Sequence, residues 1–266
     1  MTADTITPAS LLSLKKHGQR FACLTVYDAS FTHLLEQAGV EVLLVGDSLG
    51  MVLQGKQNTR TVTMEHMLYH TGNVARARQQ AMIMTDMPYL SDSDPDTALV
   101  NARLLVETGA DMVKLEGGTD KVPVVRHLVD NGIPVCGHVG LLPQSVTEPD
   151  GFRVQGGDPA SADAIVADAV ALQQAGASIV LVECVPATLG ERVTTAVDVP
   201  VIGIGAGAGC DGQVLVLHDM LGITTGKRPR FVKDFMHDNT SIAGAVRQYV
   251  DEVKSGKFPA DEHCYH

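Results

Sequence analysis

The chain has 266 residues, 45% of them apolar and 19% charged, with no tryptophan. That supplies a large core and excludes a disordered chain, a collagen-like fibre and a small disulfide-stapled scaffold. A net charge of −11 argues against a nucleic-acid binder, which needs a basic face, but a local cation could still hold a small anionic substrate.

No segment reaches the ~18 consecutive apolar residues of a membrane span, and the N-terminus lacks a basic stretch followed by an apolar one. The cysteines, Cys23, Cys136, Cys184, Cys210 and Cys264, are odd in number and never spaced as C-x-x-C. They read as small buried hydrophobes in a reducing compartment, so the chain is expected to be cytoplasmic.

In chain order, a first helix opens with Thr7 as N-cap and Pro8 at its first position. Eight short runs rich in Val, Ile, Leu and Met then read as strands: Phe21–Tyr27, Val42–Gly46, Ala81–Thr85, Asp111–Leu115, Ile133–Gly137, Ser178–Val182, Val199–Ile204 and Val214–Leu217. They are apolar on both faces, as strands of a covered parallel sheet are. Helices are predicted between most of them, over Ser30–Gln37, Thr63–Gln79, Pro95–Glu107, Lys121–Val129, Ala160–Gln174 and Ala187–Ala196. Gly39, Gly109, Gly132 and Gly176 stand where left-handed helix caps belong. A short unit of helix end, glycine, strand and acid recurs at 37–47, 108–116 and 174–183. Eight alternations in this length predict a single (β/α)8 TIM barrel over residues 1–266, with an N-terminal helix and a C-terminal helical appendage at Ser241–Lys254.

Asp47, Asp86, Glu116, His138 and Glu183 each fall at the C-terminal end of a predicted strand, the end where barrel active sites lie. Asp47, Asp86 and Glu116 follow strands two, three and four, and neighbouring strands lie only ~4.8 Å apart. Three ionised carboxylates that close need a cation or a proton, and a hard divalent ion such as Mg²⁺ supplies the charge; the alternative is that they serve as separate caps and salt bridges. Lys114 lies two residues before Glu116, so both side chains face the barrel interior. It could neutralise the acids, hold a substrate carboxylate or form a Schiff base. Ser48 could meet a ligand at the strand tip or cap the following turn, and His138 could position a substrate oxygen or be structural. Glu183, after strand six, lies across the mouth and is a candidate base. The run 203–209 lacks dinucleotide spacing, though its backbone could bind an anion. His66 and His70 share a helix face without the glutamate of a zinc protease, and the tail His263–His266 is too short for a metal site.

The sequence resembles the ketopantoate hydroxymethyltransferase family. The likeness runs through Thr25–Asp28, Val45–Met51, Val62-Thr63, Tyr69–Thr71, Asp86–Tyr89, Val113–Gly118, Pro134–His138, Pro143–Gln144, Val154–Gly156, Glu183–Pro186, Ile202–Gly207, Asp211–Val216 and His218-Asp219 to Glu262–His263. The resemblance implies transfer of a hydroxymethyl group from 5,10-methylenetetrahydrofolate to 3-methyl-2-oxobutanoate, giving 2-dehydropantoate in pantothenate biosynthesis. It also implies a phosphoenolpyruvate/pyruvate-type barrel, one Mg²⁺ per subunit and a homodecamer. By motif match Asp47, Asp86 and Glu116 would sit at the metal, Ser48 and Lys114 at the oxo acid, and Glu183 would accept the proton. Two departures stand out. Gln57–Thr61 lacks the Leu-Pro expected before Val62-Thr63, and Gly157 replaces a basic residue. The rival readings are a Mg²⁺-dependent carbon–carbon lyase or phosphonomutase on a related barrel, a Schiff-base aldolase using Lys114, and a non-catalytic barrel.

Overall fold

The computed structural model describes residues 5–147, 153–224 and 228–266. Eight parallel strands close into a barrel in chain order. They are β1 (Phe21–Thr25), β2 (Val42–Val45), β3 (Met82–Asp86), β4 (Met112–Glu116), β5 (Val135–Gly140), β6 (Ile179–Glu183), β7 (Val201–Ile204) and β8 (Gly212–Leu215). The expected (β/α)8 barrel is therefore present, and most boundaries shift by one to three residues because buried strands carry little signal at their ends.

The helices wrap the barrel in turn: α1 (Pro8–Lys16), α2 (Ala29–Gln37), α3 (Leu49–Val52), α4 (Met64–Ala77), α5 (Pro95–Thr108), α6 (Val122–Asp130), α7 (Pro159–Gln174), α8 (Ala187–Ala196), α9 (Leu217–Met220) and α10 (Ile242–Ser255). Their starts are capped as side-chain chemistry predicts. Thr7, Asp28, Thr63, Asp94, Asp158 and Ser241 each accept a hydrogen bond from a first-turn N–H. The glycine anticipated at the end of α5, Gly109, has φ of +120°, and a Cβ there would meet that of Ala75 at 2.4 Å. Only glycine allows α4 and α5 to approach so closely.

Two cores result. One lies between strands and helices, and the other fills the barrel with Phe21, Cys23, Val42, Leu44, Met82, Met84, Met112, Cys136, Ile179, Leu181, Ile202 and Val214. Leu11 of α1 belongs to the inner core, so α1 plugs the floor of the barrel. Lys15 fastens it, with Nζ 3.0 Å from Asp211 Oδ2 and 2.9 Å from the Thr194 carbonyl. The C-terminal helix does more than append. α10 packs on β1, and buried Tyr249 donates toward the carbonyls of Cys23 (2.9 Å) and Gln213 (2.8 Å), spanning the seam between β1 and β8. No helix separates β7 from β8; the glycine-rich run forms their short connection.

Candidate functional site

Side chains alternate along a strand, so the inward positions of each strand stack in layers. The lower layers are apolar, and the uppermost is polar. Met82, Met84, Asp86 runs up β3, Met112, Lys114, Glu116 up β4, Cys136, His138 up β5, and Ile179, Leu181, Glu183 up β6. Strand register sets Asp86 beside Lys114 and Glu116 beside His138. Asp47 follows β2 by two residues and joins the same layer.

All these groups line one cavity of about 700 Å³, together with Ser48. Lys114 Nζ lies 3.0 Å from Asp86 Oδ1 and 3.2 Å from His138 Nδ1. The Asp47 N–H donates to Asp86 Oδ2 at 3.0 Å. His138 Nε2 is 3.1 Å from Glu183 Oε2, and Tyr27 Oη is 2.8 Å from Ser48 Oγ. The ammonium of Lys114 can only donate, so His138 Nδ1 accepts and its proton is assigned to Nε2, facing Glu183. Asp86 Oδ1 and His138 Nε2 are buried without a partner in hydrogen-bond alignment.

Burial and mutual repulsion set the protonation of the cluster. Burial, followed by Asp86 and Glu116, pushes Asp47 well above the usual carboxylate range. Burial also pushes Glu116 and Glu183 up to about 8 each, against the pull of Lys114. For Lys114 burial works the other way, but the Asp86, Glu116 and Asp47 carboxylates outweigh it and hold the ammonium charged. His138 is driven well below the usual imidazole range by burial and by Lys114, so it is neutral.

One residue that sequence reasoning left without a role organises the acids. Gln144 is buried, its Nε2 donates to Asp47 Oδ2 (2.8 Å) and to the Met87 carbonyl (3.0 Å), and its N–H donates to Glu116 Oε2 (2.9 Å). Its signal was present in the Pro143-Gln144 pair after strand five. Gln144 also ties together two of the expected ligands, its side-chain amide holding Asp47 and its backbone N–H holding Glu116, while the Asp47 N–H meets Asp86.

The donor set fits a hard divalent cation. It is made of carboxylate oxygens, among them Asp86 Oδ1, which is ion-paired with Lys114 at 3.0 Å but makes no aligned hydrogen bond. Four acids against one lysine leave the layer short of positive charge, which adds to the burial that raises Asp47, Glu116 and Glu183. Mg²⁺ commonly takes only one or two protein carboxylates and completes its shell with water or substrate.

The departures noted in the sequence separate here. Thr59, inside the Gln57–Thr61 stretch, is buried and lines the cavity, while Arg60 lies 4.1 Å from the Tyr89 ring centroid and donates to Tyr89 Oη at 2.6 Å. Gly157 faces open space. His70 is a packing residue whose Nδ1 lies 2.8 Å from the Tyr27 carbonyl. The tail, dismissed as a metal site, instead reaches the mouth, where Tyr265 lines the cavity.

Comparison with known proteins places the chain in a family. The family model described as Ketopantoate hydroxymethyltransferase matches residues 5–261. The 3-methyl-2-oxobutanoate hydroxymethyltransferase 2 of Hahella chejuensis is 51% identical, covering 98% of this chain and 99% of that protein. The 3-methyl-2-oxobutanoate hydroxymethyltransferase of Nitrosococcus oceani is 52% identical over the same shares. Among solved structures, a phosphonomutase-like protein from Burkholderia cenocepacia aligns with a TM-score of 0.63 at 16% identity, covering 81% of this chain and 94% of that one. A phosphonopyruvate hydrolase solved with oxalate and Mg²⁺ aligns at 0.59 and 13% identity, covering 79% and 80%. These distant structures share the barrel, whereas the family match spans nearly the whole chain: it belongs to the ketopantoate hydroxymethyltransferase family.

Proposed function

We propose that this chain transfers a hydroxymethyl group from 5,10-methylenetetrahydrofolate to 3-methyl-2-oxobutanoate, forming 2-dehydropantoate for pantothenate synthesis. The observation that carries the reading is Glu183. It is a buried carboxylate with a proton affinity raised to about 8, set across one cavity from the Lys114, Asp86 and Asp47 group. Such an affinity suits a base that must take a weakly acidic proton near neutral pH.

Asp47, Asp86 and Glu116 would hold Mg²⁺. When bound, the ion polarises the keto group of the oxo acid and eases loss of the C3 proton. Lys114, kept charged by its acids, binds the substrate carboxylate, and Ser48 donates to it at the tip of β2. A permanently charged Lys114 is a poor Schiff-base nucleophile, which favours the binding role. Glu183 takes the C3 proton on a carboxylate oxygen, and the His138 Nε2–H beside it fixes the orientation of that carboxylate or of a substrate oxygen. Both C–N bonds of the folate methylene break in the transfer: its carbon bonds to C3, water supplies the hydroxyl oxygen, and tetrahydrofolate leaves with the C3 proton and the second water proton on its two nitrogens.

A lyase using a thiolate draws no support, because burial pushes Cys136 up to about 12 and Cys184 up to about 11. The whole chain is proposed to work as one barrel domain, in a homodecamer and in the cytoplasm. No helix of the described residues is long and apolar enough to cross a membrane. The test is C3 proton exchange of 3-methyl-2-oxobutanoate in D2O, followed by NMR, with Mg²⁺ and with chelator, and then addition of the folate. Exchange that needs the cation and product that needs the folate are expected; exchange that persists in chelator would overturn the metal assignment.

A further inference from the structure

A five-carbon oxo acid fills little of a cavity of about 700 Å³, which lies in the ~300–1,000 Å³ range of pockets that enclose drug-sized ligands. The wall that follows β8 differs in character from the acid floor. It carries Asp219, Arg230, Phe231 and Tyr265. We propose that this wall binds the folate co-substrate. Asp219 takes the pterin edge, Phe231 and Tyr265 flank the ring, and Arg230 receives the glutamate carboxylates. The inference rests on the reaction proposed above.

A reduced pterin presents a ring N–H and an amino group side by side, spaced to meet both oxygens of one carboxylate. Asp219 is placed for this. Its Oδ1 accepts from Thr224 Oγ1 at 2.5 Å, and among the described residues it makes no ion pair. Nearby Arg228 is committed to Asp234 at 3.1 Å. Phe231 and the Tyr265 backbone both pack on the turns that follow β7 and β6. A Cβ at Gly205 would strike the Phe231 ring at 2.7 Å, so glycine lets Phe231 lie against the β7 turn. The Tyr265 carbonyl accepts from the Ala187 N–H at 2.8 Å, and Tyr265 bridges to Pro186. Fixed rings lose little freedom when a ligand slides between them. Arg230 is exposed and spends one donor on the Cys264 carbonyl at 3.4 Å, leaving most of its fork for an anion. On a chain of net charge −11, cations at this mouth suit a polyanionic tail.

The test uses the intact protein with Mg²⁺ and the variants Asp219→Asn and Arg230→Gln. C3 exchange of the oxo acid needs no folate and is expected to stay near the wild-type rate in both. The KM for 5,10-methylenetetrahydrofolate is expected to rise about tenfold or more in each, the effect of losing one charge-assisted hydrogen bond. Binding of 6-methyltetrahydropterin, which lacks the tail, should weaken in Asp219→Asn and stay unchanged in Arg230→Gln. Unchanged folate KM in both variants, or lost exchange in either, overturns the proposal. Because Arg230 is exposed, its variant tests the wall even if Asp219→Asn fails to fold. A wild-type protein that shows no exchange or transfer defeats the underlying reaction instead.

Discussion

Replacing Glu183 by Gln removes a proton acceptor while preserving shape. The side chain is 13% exposed and its Oε2 sits 3.1 Å from His138 Nε2, so the amide fits without a cavity. General-base catalysis contributes ~10²–10⁴-fold, which corresponds to about 3–5 kcal/mol of barrier. C3 exchange should therefore fall by that factor in the variant, while binding of the oxo acid and Mg²⁺ changes little. The wild type offers an internal control. With a proton affinity of about 8, Glu183 is mostly protonated at pH 6, so exchange should rise about tenfold per pH unit before levelling. A bound cation moves the plateau to lower pH, because positive charge favours the carboxylate. Deuterium exchange followed by NMR between pH 5.5 and 9 reads both effects. A Glu183→Gln protein that exchanges at the wild-type rate, or that keeps the pH slope, would refute the base assignment.

Other consequences can be checked as directly. Glu116 and Glu183 hold protons up to about pH 8 in the folded chain but only up to about 4.5 when unfolded. The folded state then binds more protons, so metal-free stability should fall as pH rises from 4.5 toward 8, and Mg²⁺ should flatten the trend in thermal melts. Gln144→Ala deletes the bonds to Asp47 and Met87 and should weaken Mg²⁺ binding by about 10–100-fold in calorimetric titration, as loss of a ligand-orienting group does. Gly140→Ala sets a Cβ 2.4 Å from the Glu183 carbonyl oxygen at φ +90°, so exchange activity and melting temperature should both drop. Tyr249→Phe removes the one hydroxyl donor shared by two buried carbonyls at the barrel seam and should cost about 1–3 kcal/mol in denaturant unfolding, with KM for the oxo acid unchanged.

The barrel was legible because its strands are short, doubly buried runs, most of them ended by a punctuating glycine or acid. The inward stacking of Lys114 over Met112 and under Glu116 followed from a period of two. Strand ends were less legible. Extension of β5 through His138 to Gly140 depends on pairing with β6, which no local pattern announces. Gln144 went without a role for a similar reason: a neutral amide in a loop carries no charge signature, and its bonds to Asp47 and Glu116 exist only after the barrel closes. The rim residues Arg230, Phe231 and Tyr265 come from a stretch whose sequence reads as ordinary polar chain, and only tertiary contact with the β6 and β7 loops brings them to the mouth.

The bond from Tyr249 to the Cys23 carbonyl joins residues 226 positions apart. During synthesis the first strand emerges long before its closing neighbour and the helix that rivets the two together. Until then the partial sheet has two bare edges, open to pairing with other chains. Ring closure this remote in sequence makes for slow assembly, and a chain that stops short of α10 carries every strand of the ring but lacks the hydroxyl that clasps its first and last members.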